Sequence, residues 1–418
     1  MLLGAVADDL TGATDLALIL SREGMNVVQV NGLPEDTSQF GNADAAIIAL
    51  KSRTIAPQEA VCQSLSAAKL LLEAGAKQLF FKYCSTFDST DKGNIGPVTD
   101  ALLKLLGEKR TIACPSFPAN GRTVFQGHLF VGNQLLSESP LRDHPLTPMH
   151  DPNLVRVLQK QSENVVSLIS HQVVTSGSDK IENALVGLNG IAIIDAIDDR
   201  DLRAIGRAIK DLKLVTGGSA VAQGLPENFR IAGLLSETDS RSEISIVHGG
   251  GVILAGSCSA ATRRQIEVAK RKDVPSLQLD ALHIASGETT VAEVTDFIRS
   301  HRDSALPALV YSSADPEIVA IAQEKLGREA ASLVVEKLLG DVAAELYNQG
   351  YNRFIVAGGE TSGAVVQALG AKAFWIGQEI DPGVPLVTSI GNKPVRLALK
   401  SGNFGADDFF LKAWEMMA

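Results

Sequence analysis

Cysteine is scarce in this chain: Cys62, Cys84, Cys114 and Cys258 are the four among 418 residues, and no Cys-x-x-Cys occurs. That spacing suggests neither a disulfide framework nor a zinc site. No apolar run approaches 18 residues, so no membrane-spanning helix is predicted. The opening "MLLGAVADD" has no basic stretch or cleavage site, and with free thiols it makes a cytoplasmic location the expectation. Basic residues number 38 against 48 acidic, and a net charge of −10 repels a phosphate backbone. Nucleic acid is therefore not an expected partner. Small anions remain open, because helix N-termini and single Lys or Arg residues bind them against an acidic background.

Several catalytic signatures are also missing. Without Gly-x-x-x-x-Gly-Lys-Ser/Thr there is no P-loop, and without Gly-x-Gly-x-x-Gly a dinucleotide dehydrogenase loses its fingerprint. "HGGG" at 248–251 imitates an esterase oxyanion-hole motif, but no Gly-x-Ser-x-Gly elbow accompanies it. No His-Glu-x-x-His is present, and the metal ligands stay unknown.

What is present is ordinary globular composition, 45% apolar and 21% charged, in a length that suits two or three domains. Short apolar runs alternate with longer amphipathic ones, as in "LLGAVADD", "GATDLALILSREG", "NVVQVNG", "AAIIALKSR" and "QLFFKYC". This order predicts an α/β fold with a largely parallel sheet covered by helices on both faces. Residues 121–137 instead alternate around Gly-Asn and predict an inserted hairpin. Between about 225 and 250 the period is lost, and a second alternation begins at "GVILAGS". We therefore expect two unlike α/β domains: 1–230, a linker at 231–250, and 251–418, with an active site in the cleft between them. In the second, one long helix is expected over 316–348.

In an open parallel sheet, ligands bind where strands end at their carboxyl termini. In the first half Asp8, Asp9, Lys51, Arg53 and Lys82 close apolar runs. In "ADDLTGATD", two carboxylates precede a tight turn at Thr11 and Gly12 and a helix N-terminus, a setting in which Asp9 or Asp8 could accept a hydroxyl proton. The loop "KYCSTFDSTDKGNIG" gathers Lys82, Ser85, Asp88, Ser89, Thr90 and Asn94, a density of polar groups suited to a polyhydroxylated ligand, with Lys82 available to a carboxylate. A merely polar loop is the bland alternative.

The second half holds three Gly- and Ser-rich turns after predicted strands: "GSCSAAT" at 256–262, "GGETSG" at 358–363 and "KSGNFG" at 400–405. One such turn only reverses the chain, whereas three on one sheet edge predict a nucleotide phosphate site. Its candidates are Ser257, Ser259, Gly358, Gly359, Glu360, Thr361, Ser362, Gly402 and Gly405. Gly359 is expected to have positive φ and to meet phosphate through its backbone.

Taken in order, "ADDLTGATD", "DST" followed by "GN", "GSCSAAT", "GGETSG" and "KSGNFG" resemble the four-carbon acid sugar kinase family from about residue 3 to 410. The extended loop "KYCSTFDSTDKGNIGP" and "GRTVFQGHLFVGNQLL" are most similar to its 3-oxo-tetronate kinase branch. The resemblance implies ATP-dependent phosphorylation of a terminal hydroxyl, with an N-terminal acid-sugar domain, a C-terminal nucleotide domain and magnesium on the nucleotide. It implies acid-sugar contacts at Asp8, Asp9, Arg53, Lys82 and Asp88 to Thr90, and nucleotide contacts at Ser257, Gly358 to Thr361 and Gly402. Asp381, in "EIDPGVP", expected to be a loop, is the alternative base. The expected partners are ATP and the acid sugar, with a homodimer open. Rival readings are a threonate or erythronate kinase, a sugar-acid dehydrogenase and a non-catalytic sugar-acid sensor, and equilibrium binding of ATP separates the last two from a kinase.

Overall fold

The strand "LGAVA" shows how the first half is built: all five residues of β1 (Leu3–Ala7) are buried, which a β-strand achieves only when both faces are covered. The computed structural model describes residues 1–144, 146–236, 247–312, 321 and 324–417. The chain divides into two compact units, Met1–Ser242 and Glu243–Ala418. Of the linker expected at 231–250, residues 237–246 lie outside the described residues, and Leu225–Ile231, read as period-free, is a short helix begun by Pro226.

In unit one the strands are β1, β2 (Val27–Asn31), β3 (Ala45–Ala49), β4 (Gln78–Lys82), β5 (Arg110–Cys114), β9 (Val166–Ile169), β10 (Gly190–Ile194) and β11 (Leu214–Gly217). They form a wholly parallel array in the order β2, β3, β1, β4, β11, β5, β10, β9. Helix Leu10–Arg22 buries Ala13, Leu16, Ala17 and Leu20, the spacing of a single apolar stripe. The inserted segment is three antiparallel strands, β6 (Arg122–Phe125), β7 (His128–Val131) and β8 (Gln134–Leu135), one more than a hairpin.

Unit two contains β12 (Gly250–Ala255), β13 (Ser276–Gln278), β14 (Ala308–Tyr311), β15 (Tyr351–Ala357), β16 (Ala373–Asp381), β17 (Val384–Ser389) and β18 (Arg396–Lys400). Strands β13, β14, β12, β15 and β18 are parallel in that order, and β17 then β16 continue antiparallel. The long helix expected over 316–348 is interrupted by Gly327 at φ 87°, and a helix Arg328–Asn348 begins after it. Residues 313–320, 322 and 323 of that expectation lie outside the described residues.

Candidate functional site

Because β3, β1 and β4 are parallel neighbours, the charges that close them stand side by side. Asp8 follows β1 and is 6% exposed. Arg53 grips it at two points, Nε to Oδ2 and Nη2 to Oδ1, both 2.9 Å. The same Nη2 reaches Asp9 Oδ1 at 2.9 Å, and Nη1 reaches Asp88 Oδ2 at 3.3 Å. One guanidinium thus gathers three carboxylates brought from two segments. Burial pushes the Asp8 carboxyl upward against the pull of the Arg53 hydrogen bonds and charge. Burial alone would lower Arg53, but hydrogen bonding and the charges of Asp8 and Asp9 outweigh it and hold the guanidinium cationic.

Asp9 also caps helix Leu10–Arg22, its Oδ1 accepting from Gly12 N at 3.0 Å. Among the described residues its Oδ2 has no hydrogen-bond partner, whereas both oxygens of Asp8 are taken up. Lys82, buried at the end of β4, donates to Tyr83 O at 2.8 Å. A Cβ on Gly12 would meet Asp9 Oδ1 and Lys82 Nζ, so a larger residue there would displace one or both side chains. Thr11, in the exposed first turn, and half-buried Ser85 have no such built surroundings.

The loop after β4 is held from both sides. Thr86 Oγ1 donates to Asp88 Oδ1 at 2.6 Å, which aims Asp88 at Arg53. Asn94 donates to the carbonyls of Ser52, Arg53 and Ile55 at 2.8, 3.2 and 3.0 Å, so it positions Arg53 through its backbone. Ser89 Oγ and Thr90 O accept from Gln161 Nε2 at 3.0 and 2.6 Å, while Gln161 Oε1 accepts from Gly96 N at 3.0 Å. Sequence reasoning missed Gln161, which lies 72 residues from Ser89 in no recognisable motif.

In unit two the three small-residue turns do come together. A Cβ on Gly256 would strike Thr361 Oγ1, one on Gly358 would lie 2.8 Å from the same oxygen, and one on Gly402 would strike Ser257 Oγ. Helices Ala260–Arg271 and Gly359–Ala368 start from two of these turns. Ser259 caps the first, its Oγ accepting from Thr262 N and donating to Gly402 O at 2.6 Å. The expectation of positive φ at Gly359 is wrong by one residue: Gly358 has φ 128°, and Gly359 is the first helical residue, with open space where a Cβ would be. Glu360 is exposed, Thr361 is buried, and Ser362 Oγ is buried with no partner. Gly405, at φ 85°, packs against the Phe409 ring.

Asp381 is not in a loop but is the last residue of β16. Its Oδ2 accepts from Ala406 N at 2.8 Å and its Oδ1 pairs with Lys412, so it ties the 401–408 segment and the helix Phe409–Met417 to the end of β16. Lys400, the first residue of "KSGNFG", ends β18. It is 1% exposed, donates to Thr262 Oγ1, Ser401 O and Gly402 O at 3.1, 3.1 and 3.0 Å, and burial brings its ammonium down to about 8. Gln265 Nε2 holds the carbonyls of Phe404, Gly405 and Ala406 in turn. Among the described residues no group of three or more His, Cys, Asp or Glu could hold a metal ion. No helix of the described residues is long and apolar enough to cross a membrane.

Unit one is a parallel sheet with a charged carboxyl edge, and unit two is a mixed sheet on which three small-residue turns meet, the settings in which small polar substrates and phosphates bind. Residues 3–225 match the model of a sugar-binding N-terminal domain and residues 252–410 that of a nucleotide-binding C-terminal domain. The chain belongs to the four-carbon acid sugar kinase family. It is similar to a Burkholderia multivorans protein named 3-oxo-tetronate kinase (52% identity, 99% of this chain and 96% of the relative). A Pseudomonas fluorescens protein of the same name is 50% identical over 100% of this chain and 97% of its own. The fold is similar to a crystal structure of a Haemophilus influenzae protein, with a TM-score of 0.92, 41% identity, and 99% of this chain and 100% of that one covered.

Proposed function

We propose that this chain is a 3-oxo-tetronate kinase, transferring the γ-phosphoryl group of ATP to the C4 hydroxyl of 3-oxo-tetronate. The observation that carries the substrate is identity of 50% or more, over essentially the whole chain, to relatives bearing that name. The geometry supports the reaction type. Unit one offers Lys82 and a carboxylate edge to an acid sugar, and unit two offers the turns of 256–259, 358–361 and 400–402 to phosphates.

In this reading the C4 oxygen attacks the γ-phosphorus, the bond from that phosphorus to the β,γ-bridging oxygen breaks, and ADP leaves. The hydroxyl proton passes to Asp9 Oδ2, since Asp8 is committed to Arg53 and Asp381 to Lys412 and Ala406. Lys82 pairs with the substrate carboxylate, and Arg53 fixes Asp9 rather than binding substrate itself. Magnesium belongs to this reading as the ion the nucleotide brings with it, and no step is routed through it. A cytoplasmic location goes with it, since ATP is available there.

An ADP-release screen over four-carbon acids tests the reading. We expect 3-oxo-tetronate to be turned over faster than threonate or erythronate. ADP release with none of them, or equal binding of the acids without ATP affinity, overturns it.

A further inference from the structure

The amino edge of the unit-two sheet, opposite the small-residue turns, carries two arginines with no counter-charge. Arg353 on β15 and Arg396 on β18 are paired in register, so their side chains leave the sheet on one face. Both are half-buried. Among the described residues neither meets a carboxylate: burial and the Arg396 charge push Arg353 down, burial alone pushes Arg396 down, and no acid pulls either back. Arg353 is committed on one edge, its Nε and Nη2 donating to Gly249 O at 3.1 and 2.7 Å, and its guanidinium lies 4.0 Å from the centre of the Trp414 ring. Arg396 has no side-chain hydrogen bond among the described residues, and its Nε is buried without a partner.

The row continues across the sheet. Register sets Thr388 of β17 beside Arg396, and Trp375 of β16 beside Thr388. Thr388 is 4% exposed, and its Oγ1 is buried with no partner. At the other end Gly251 of β12 stands beside Arg353, and a Cβ on it would strike the Trp414 ring. The two tryptophans of the chain thus bracket two arginines and a buried hydroxyl.

Such a row is costly as it stands. Like charges side by side on neighbouring strands repel, and a buried donor without an acceptor has lost its hydrogen bond to water. An occupant that is anionic and rich in acceptors removes both costs. Arg396 offers a fork for two oxygens, Thr388 a hydroxyl for a third, and Arg353 its remaining Nη1. Two positive charges and donors for three oxygens match a dianionic phosphate group, whereas a carboxylate has one charge and two oxygens. We propose that Arg396, Thr388 and Arg353 form a phosphate-group site on this face, separate from the turns at the carboxyl edge. Arg396 and Lys400 are the first and last residues of β18, about 13 Å of strand apart, too far for one phosphate to serve both. The occupant is inorganic phosphate or a small phosphomonoester such as a four-carbon acid phosphate. The site is independent of the kinase reading.

Thermal unfolding and tryptophan emission of the full chain test this. Inorganic phosphate or a four-carbon acid 4-phosphate is added at about 10 mM against chloride of equal ionic strength, where salting-out is small. Saturating ADP in every sample competes for phosphate at the small-residue turns. Phosphate should raise Tm by about 2 °C or more and change the emission saturably, since both tryptophans lie in the row. Arg396→Gln should lose both responses and, without phosphate, melt no lower than the wild type, because a repelling charge has gone. Thr388→Val keeps the shape and should weaken binding about tenfold through loss of one charge-assisted hydrogen bond. Tighter binding of the ester than of inorganic phosphate makes the phosphorylated acid the occupant, and the reverse makes it the free ion. A wild type with no saturable response overturns the proposal, as does a folded Arg396→Gln that responds as the wild type does. Should Arg396→Gln not fold, unchanged binding by Thr388→Val overturns it.

Discussion

Arg53 and Asp8 form a two-point ion pair, Nε to Oδ2 and Nη2 to Oδ1, each 2.9 Å long and set 45 residues apart in sequence. Asp8 cannot lose this partner cheaply, because its carboxylate is 6% exposed. Arg53→Met should cost about 3 kcal/mol of stability, the low end for leaving one charge of a buried pair alone. Urea unfolding measures this, and a change below about 1 kcal/mol would show that water replaces the guanidinium.

Asp9→Asn separates charge from shape, since Asn caps a helix as well as Asp does. Turnover should fall on the order of 10²-fold or more, with stability and ATP affinity nearly unchanged. Asp381→Asn should instead loosen the 401–408 segment, lowering thermal stability and raising KM for ATP. Normal turnover by Asp9→Asn, with Asp381→Asn inactive at full ATP affinity, would move the base to unit two.

Gly358 and Gly359 should respond differently to a methyl group. Gly358 has φ 128° and Thr361 Oγ1 2.8 Å from where its Cβ would be, so Gly358→Ala should abolish ATP binding measured by calorimetry. Gly359→Ala meets no protein atom and should fold normally, with any loss confined to nucleotide affinity.

Lys400 gives a pH signature. Its folded-state value of about 8 lies below the usual lysine range, so between about pH 8 and 10 the unfolded chain binds the extra proton. Stability from this residue should therefore rise with pH across that window, and be lowest below pH 8. Lys400→Met should abolish the rise in urea-unfolding free energy between pH 8 and 10 while weakening ATP binding. A wild type whose stability falls across the window in the same way as the variant would refute the assignment.

The strands of unit one were legible because burial on both faces leaves runs such as "AAIIA" with no competing period. The candidate charges were legible because they end such runs. Gln161 was not, since a polar residue acquires its partner only through folding, and nothing local marks a bond across 72 residues. The β16–β17 pair also escaped: Gly377 and Pro382-Gly383 break an alternation that would have marked strands. At Gly358 and Gly359 the pattern showed a small-residue turn opening a helix, but which glycine takes the left-handed backbone depends on where the helix begins.

The carbonyl of Gly402 accepts from Ser259 Oγ, Thr262 Oγ1 and Lys400 Nζ at once. A trans peptide is planar, with its oxygen and its hydrogen on opposite sides. Three donors that pull the oxygen inward therefore turn the N–H of Asn403 the other way. The buried lysine and two hydroxyls thereby act as a compass for a backbone dipole, fixing the direction in which a neutral peptide donates.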